Sequence, residues 1–360
     1  MKVIPITGLE INDNIRVVVQ AFSAKKLSKI FGIKEEKEDY VYIDDIVFAN
    51  RSNLETKIDN SQEVKEILKK FPQTETFAII NTRLNKYTEF YDLKVALSII
   101  YIAYRSKMET YSCDANHFGL GVIYGYHTEA GIQSTKWHIS IGTKLIDENY
   151  YDLTIPVYYT SDEEIESWKI PRHVYSPLIV KKDISKNINK ISMSIVKPSQ
   201  MSNKLRSALY LLFNTLNFEN IDLVIIMYST ILETLLLSSN EDNQRKKVSV
   251  RLVCLIRNLG KCEEKEYIAN WVYYFYKYRN DIVHDGKSFI ELQVGEEFVI
   301  FNHTLSLIQH LIFSLINKIV NNDITTTKDI IKIVEKNIEN DNLNNGFEYI
   351  SQNMIMYYED

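Results

Sequence analysis

No proline follows Pro198 in this chain of 360 residues. All six prolines (Pro5, Pro72, Pro156, Pro171, Pro177 and Pro198) fall before or at that point. Proline inside a helix removes a backbone hydrogen bond and clashes with the preceding turn, so the stretch beyond Pro198 reads as helical throughout. Cysteine is equally sparse. Cys113, Cys254 and Cys262 show no paired spacing, which excludes a disulfide framework and suits a reducing cytoplasm, the expected location. Basic excess is missing too: the net charge is −5. That excludes a histone-like binder and leaves any nucleic-acid contact to a local patch. The most apolar runs, "IDLVIIMYSTILETLLL" and "LSLIQHLIFSLI", are short and interrupted by polar residues. They read as buried helices, with no membrane partner expected. The opening "MKVIPITGLEIND" lacks the charged region and long apolar run of a signal peptide. There is no Walker loop, no G-x-G-x-x-G and no nucleophile elbow.

What is present divides the chain. Residues 1–196 read as a mixed α+β domain. "VIPITGLEI", "IRVVV" and "TFAIINTRL" look like strands, and "DLKVALSIIYIAYRSKM" has the spacing of a buried helix. From Phe118 to Ile146 glycines punctuate an alternating pattern, as in one or two hairpins. "SDEEIESW" opens like a short capped helix. With no recognisable chemistry, this half reads as a sensor or regulatory domain. Residues 197–322 read as an all-α bundle. Ser199 or Ser202 caps its first helix, and "ENIDLVIIMYSTILETLLLSS" forms its second. "NQRKKVSVRLVCLIRNL" is a third, stopped by Gly260. "EEKEYIANWVYYFYKYRNDIVH" is a fourth with Gly286 just past its end, and "GEEFVIFNHTLSLIQHLIFSLINKIV" a fifth. Residues 323–360 read as an amphipathic helix and a tail.

The chemistry concentrates at "YYFYKYRNDIVHDGKSF". Arg279 and His284 are what metal-free RNA cleavage requires, and Asn280 can orient a phosphate or the imidazole. RNA carries its own nucleophile, the 2′-OH. Histidine exchanges a proton near neutral pH, and arginine stays charged and offers a planar fork to phosphate oxygens. The roles follow: His284 as general acid/base, Arg279 as phosphate clamp, Asn280 as orienting residue. The products would be a 2′,3′-cyclic phosphate and a 5′-OH. Two histidines serve this chemistry better than one, so a twofold homodimer joining two such helix ends is expected. The same residues also suit a plain helix end, since a cation in the last turn complements the macrodipole and glycine stops the helix. That alternative makes the bundle a non-catalytic interaction or RNA-binding module.

The wider pattern resembles the HEPN superfamily, and most closely its Apea-like group. "IMYSTILETLLL" is similar to the family's early helix with its glutamate, here Glu233. "KKVSVRLVCLI" is similar to its middle helix with an arginine, here Arg251. "FYKYRNDIVHDG" is similar to its catalytic turn, except that Asp285 stands where glycine often follows the histidine. The resemblance covers roughly 200–320. It implies a HEPN-like bundle of four or five helices, a homodimer, and a metal-independent endoribonuclease acting on RNA such as tRNA or mRNA. It also implies a toxin or abortive-infection role in antiviral defence, with a phage-derived trigger or a silencing partner protein.

Other features are less sharp. Arg245, Lys246, Lys247, Arg251, Arg257 and Lys261 lie in a stretch without an acidic residue. This run reads either as an RNA-backbone track or as the solvated face of a helix and its loop. Glu233 among leucines needs a partner, and Arg251 or Arg279 could supply one. The run from Tyr273 to Tyr278 reads mainly as core or dimer interface, with some rings able to stack on bases. Cys113, His117, His127 and His138 have one tolerable C-x3-H spacing but no second close pair. No metal and no cofactor is therefore expected.

Overall fold

A computed structural model describes residues 2–6, 9–23, 40–55, 62–70, 75–80, 89–108, 178–180, 184–215, 220–239, 241–256, 262–288 and 298–340. The hairpins expected at 118–146, the short helix at 161–168 and the Cys113/His117/His127/His138 group lie outside these residues. The described residues fall into two compact units, one up to Lys197 and the other from Pro198 on.

The first unit is α+β. Strands β1 (Lys2–Ile6), β3 (Ile15–Ser23), β4 (Tyr40–Asn50) and β5 (Thr76–Ile80) form one antiparallel sheet in the order β1-β5-β4-β3. Short β2 (Leu9–Ile11) and β6 (Leu178–Val180) pair in parallel. Along β3 the buried Ile15, Val17 and Val19 recur at every second residue, as a half-covered strand requires. The register slips between Val18 and Gln20, which pair with Asp45 and Asp44. Arg16 on β3 pairs with Asp45.

Helix α1 (Gln62–Lys70) lays Val64 and Leu68 on Val3, Ala49, Phe77 and Ile79 of the sheet. Helix α2 (Glu89–Met108) is buried on nearly every side from Asp92 to Ala103, which marks an interior helix rather than a surface one. Helix α3 (Ser185–Val196) packs on β3, where Ser192 Oγ donates to the Val18 carbonyl beside the register slip at 2.6 Å.

Among the described residues the second unit is entirely helical. Its elements are α4 (Gln200–Thr215), α5 (Ile221–Leu236), α6 (Gln244–Leu255), α7 (Cys262–Asp285), α8 (Phe298–Asn321) and α9 (Thr327–Asn340). Local chemistry sets several of their starts. Ser199 Oγ accepts from the Ser202 amide at 3.0 Å, so Ser199 is the cap of α4. Asn220 caps α5 through the Leu223 amide at 3.2 Å. Thr326 and Asp329 cap α9 reciprocally, each side chain accepting from the other's amide. The third helix ends at Leu255, before the Gly260 expected to stop it. No helix among the described residues is long and apolar enough to cross a membrane.

Helix α5 is the axis of this unit. It touches α4, α6, α7, α8 and α9, and Val224, Ile225, Tyr228, Ile231, Leu232, Leu235 and Leu236 are all buried. Its C-terminal carbonyls would be orphans without partners. Arg251 of α6 donates to the Leu236 carbonyl at 2.8 Å, and Lys204 of α4 donates to the Leu237 carbonyl. Lys204 also reaches Thr327 Oγ1 of α9 at 2.9 Å. The same Arg251 forks onto Glu241, with Nη1 at 3.1 Å and Nη2 at 2.7 Å from its two oxygens. One polar knot therefore joins four helices.

Burial by itself would raise the Glu241 carboxyl. Hydrogen bonds from the Arg251 side chain and from Ser238, aided by the arginine's charge, outweigh it and hold the group at about 2. A depressed carboxylate contributes stability above its usual value near 4.5, and that contribution is lost as pH falls toward 2. Glu241→Gln should therefore lower the unfolding free energy by about 1–3 kcal/mol at pH 7. In urea titrations across pH 7 to 3 the gap between the two proteins should narrow on the acid side. An unchanged gap would show that the ion pair does not carry the knot.

Candidate active site at the end of helix α7

Helix α7 runs through the aromatic segment and stops at Asp285. Gly286 follows with φ of +65°, in the left-handed region that glycine enters without steric cost. The Lys287 amide folds back to the Asp281 carbonyl at 3.3 Å. His284 thus stands in the last turn, exposed, on a helix end that a tight reversal has closed.

His284 stands five positions after Arg279. On an α-helix that is about 7.5 Å along the axis and roughly 140° around it. The two side chains therefore leave α7 in different directions. Arg279 leans toward α5, half-buried, with Nη2 at 3.8 Å from Glu233 Oε1. Nη1 donates to Asn280 Oδ1 at 3.0 Å. Nε is buried and has no acceptor among the described residues. Asn280 lies four residues before His284, hence on the same face. Asn280 is the link between the two: its amide oxygen holds the guanidinium, and it shares the helix face that carries the imidazole.

Of the two arginines offered as partners for Glu233, Arg279 faces it. At 3.8 Å and with each side chain about a quarter exposed, this pair contributes about 0–1 kcal/mol. Each buried leucine or isoleucine of α5 contributes about 1.5–3 kcal/mol. The apolar face of α5 consequently decides where Glu233 points, and Glu233 then decides where Arg279 points.

Tyr276 lies three residues before Arg279 on α7 and also reaches α5. Its hydroxyl donates to the Ser229 carbonyl at 2.9 Å, one turn of α5 before Glu233. Burial, then the nearby Glu233 carboxylate, push the phenol well above its ordinary value, against the opposing charge of Arg279. It stays a neutral donor at every working pH. In the sequence Tyr276 is one ring of an aromatic run, with no motif that marks this role. The signal available was its spacing, three residues before Arg279 and four before Asn280.

Three residues of the basic run make contacts within the helical unit. Arg251 is buried and spent on Glu241 and the Leu236 carbonyl, so it has no guanidinium to offer a backbone phosphate. Lys247 also reaches Glu241, at 3.4 Å. Arg245 lies on the Tyr273 ring, 3.4 Å from its centre, and donates to the Tyr273 carbonyl at 2.8 Å. These contacts bind α6 to its neighbours. Lys246 is half-buried, and Arg257 and Lys261 lie outside the described residues. Among the aromatic residues of α7, Phe275 and Tyr276 are core. Among the described residues, no cluster of three His, Cys, Asp or Glu side chains could hold a metal ion.

No family model matches the chain, and no match was found among curated proteins or solved structures.

Proposed function

We propose that the helical unit is a HEPN-like, metal-independent endoribonuclease that works as a homodimer. The observation that carries this reading is the pairing of a directed arginine with an exposed histidine at one helix end. In the proposed reaction His284 takes the 2′-OH proton, or gives one to the leaving 5′ oxygen. Arg279 stabilises the charge that builds on the phosphorane, and Asn280 keeps the guanidinium aimed.

The helix end itself is unfavourable for phosphate. The macrodipole places about half an elementary negative charge there, and Asp281 and Asp285 add their own. A guanidinium close by is the minimum offset, which supports reading Arg279 as the clamp. The divergence of Arg279 and His284 on one helix supports a composite site, in which each scissile phosphate meets groups from two copies. Val283, beside His284, is 46% exposed. An apolar side chain left open next to the site suits burial against a twin.

A role in antiviral defence as a toxin or abortive-infection effector, with the α+β unit as sensor, belongs to the same proposal. It is supported by the resemblance of residues 200–320.

Purified protein incubated with total tRNA and with mRNA in EDTA should cut RNA. His284→Ala and Arg279→Ala should each lower the rate by about 10²–10⁴-fold. Cutting that survives both substitutions removes these residues from the mechanism. Val283→Glu should shift the protein from dimer to monomer in light scattering and lower cleavage in parallel. A monomeric wild-type protein that cuts at full rate would contradict the composite site.

A further inference from the structure

We infer that Tyr276 is a positioning residue: its hydroxyl fixes the face of α5 that carries Glu233 against α7, and so sets the direction of the Arg279 guanidinium. The inference rests on the ribonuclease reading for its kinetic consequence, but its geometric content stands apart from it.

Three observations converge. Ser229 and Glu233 are one turn apart on α5, while Tyr276, Arg279 and Asn280 occupy neighbouring positions on α7. The Tyr276 hydroxyl, almost wholly buried, bridges these faces through the Ser229 carbonyl at 2.9 Å. The Ser229 carbonyl already lies within a helix and does not need this donor. The phenol gives its one proton to that carbonyl, one turn before Glu233 on the same face of α5. The bond therefore ties the turn of α5 that precedes Glu233 to the turn of α7 that precedes Arg279.

The third observation is the state of Arg279. Of its donors, Nη1 is held by Asn280, Nη2 stands 3.8 Å from Glu233, and Nε is buried without an acceptor among the described residues. A guanidinium held by so few bonds is not fixed by its own contacts. Its direction comes from what holds Glu233. A carboxylate free to turn would let the arginine turn with it, and the clamp would miss the phosphate.

Tyr276→Phe removes one oxygen and no packing volume. The full-length protein should keep its fold, checked by circular dichroism, and its KM for an RNA substrate should stay within about twofold. The kcat should fall on the order of tenfold to a hundredfold, the cost of misplacing a group that acts only in the transition state. Glu233→Gln should show the same split. The double variant should be no worse than Glu233→Gln alone, because the tyrosine acts through the carboxylate.

A second readout does not depend on cleavage. The Arg279 Nε–H resonance, assigned by its loss in Arg279→Lys, should exchange slowly with water in the wild type and faster in Tyr276→Phe. Wild-type exchange in Tyr276→Phe overturns the inference whatever the kinetics. So does faster exchange with an unchanged kcat, or additive losses in the double variant. If the wild-type protein cuts no RNA, the ribonuclease reading fails and the resonance alone decides whether Tyr276 directs Arg279.

Discussion

The helical unit depends on the burial of one helix. Seven apolar side chains of α5 are sealed against the surrounding helices, and the rotation that this imposes leaves Glu233 facing α7. No ion pair of the observed length and exposure could enforce such an orientation. Burial sets the frame, and the polar groups fix positions within it. The same helix ends in two carbonyls that Arg251 and Lys204 satisfy, so its rotation and its end point are both constrained. A site built from weak polar contacts can be directional when it is mounted on a strongly packed element.

Two arginines of the unit show how context separates similar residues. Arg251 is buried, bidentate to Glu241 and bound to a backbone carbonyl. It is a structural tie. Arg279 is partly exposed, has a distant carboxylate and one hydrogen bond to a neighbouring amide. Its charge is directed but not consumed, which a phosphate clamp requires. The three principal site residues share the final turns of one helix, and Gly286 ends that helix immediately after them.

Several of these features were legible in the residues. The absence of proline after Pro198 anticipated the helices, and the cap of the first, Ser199, was one of the two serines expected there. Strand β4 was not legible. Asp44 and Asp45 interrupt its apolar pattern, and its pairing with β3 and β5 is what defines it as a strand. The contacts of Arg251 and Lys247 were hidden for a different reason. Their acidic partner, Glu241, sits in a loop whose composition looks solvated, so nothing in the sequence suggested that it would reach Arg251 and Lys247. Proximity of Glu233 to an arginine was expected from its apolar surroundings, but two candidates fitted equally and only packing distinguished them. The contribution of Tyr276 depends on a single hydroxyl crossing between helices, which no periodicity reveals.

The most direct test of the account is the chemistry of the ends that the protein leaves on RNA. Cleavage by the 2′-OH, with His284 moving the proton and Arg279 holding the phosphate, predicts fragments ending in a 2′,3′-cyclic phosphate and beginning with a 5′-OH. Fragments made in the presence of EDTA should therefore accept label from polynucleotide kinase without prior phosphatase treatment. Products with a 3′-OH and a 5′-phosphate would contradict the account, because they arise from attack by water rather than by the RNA itself.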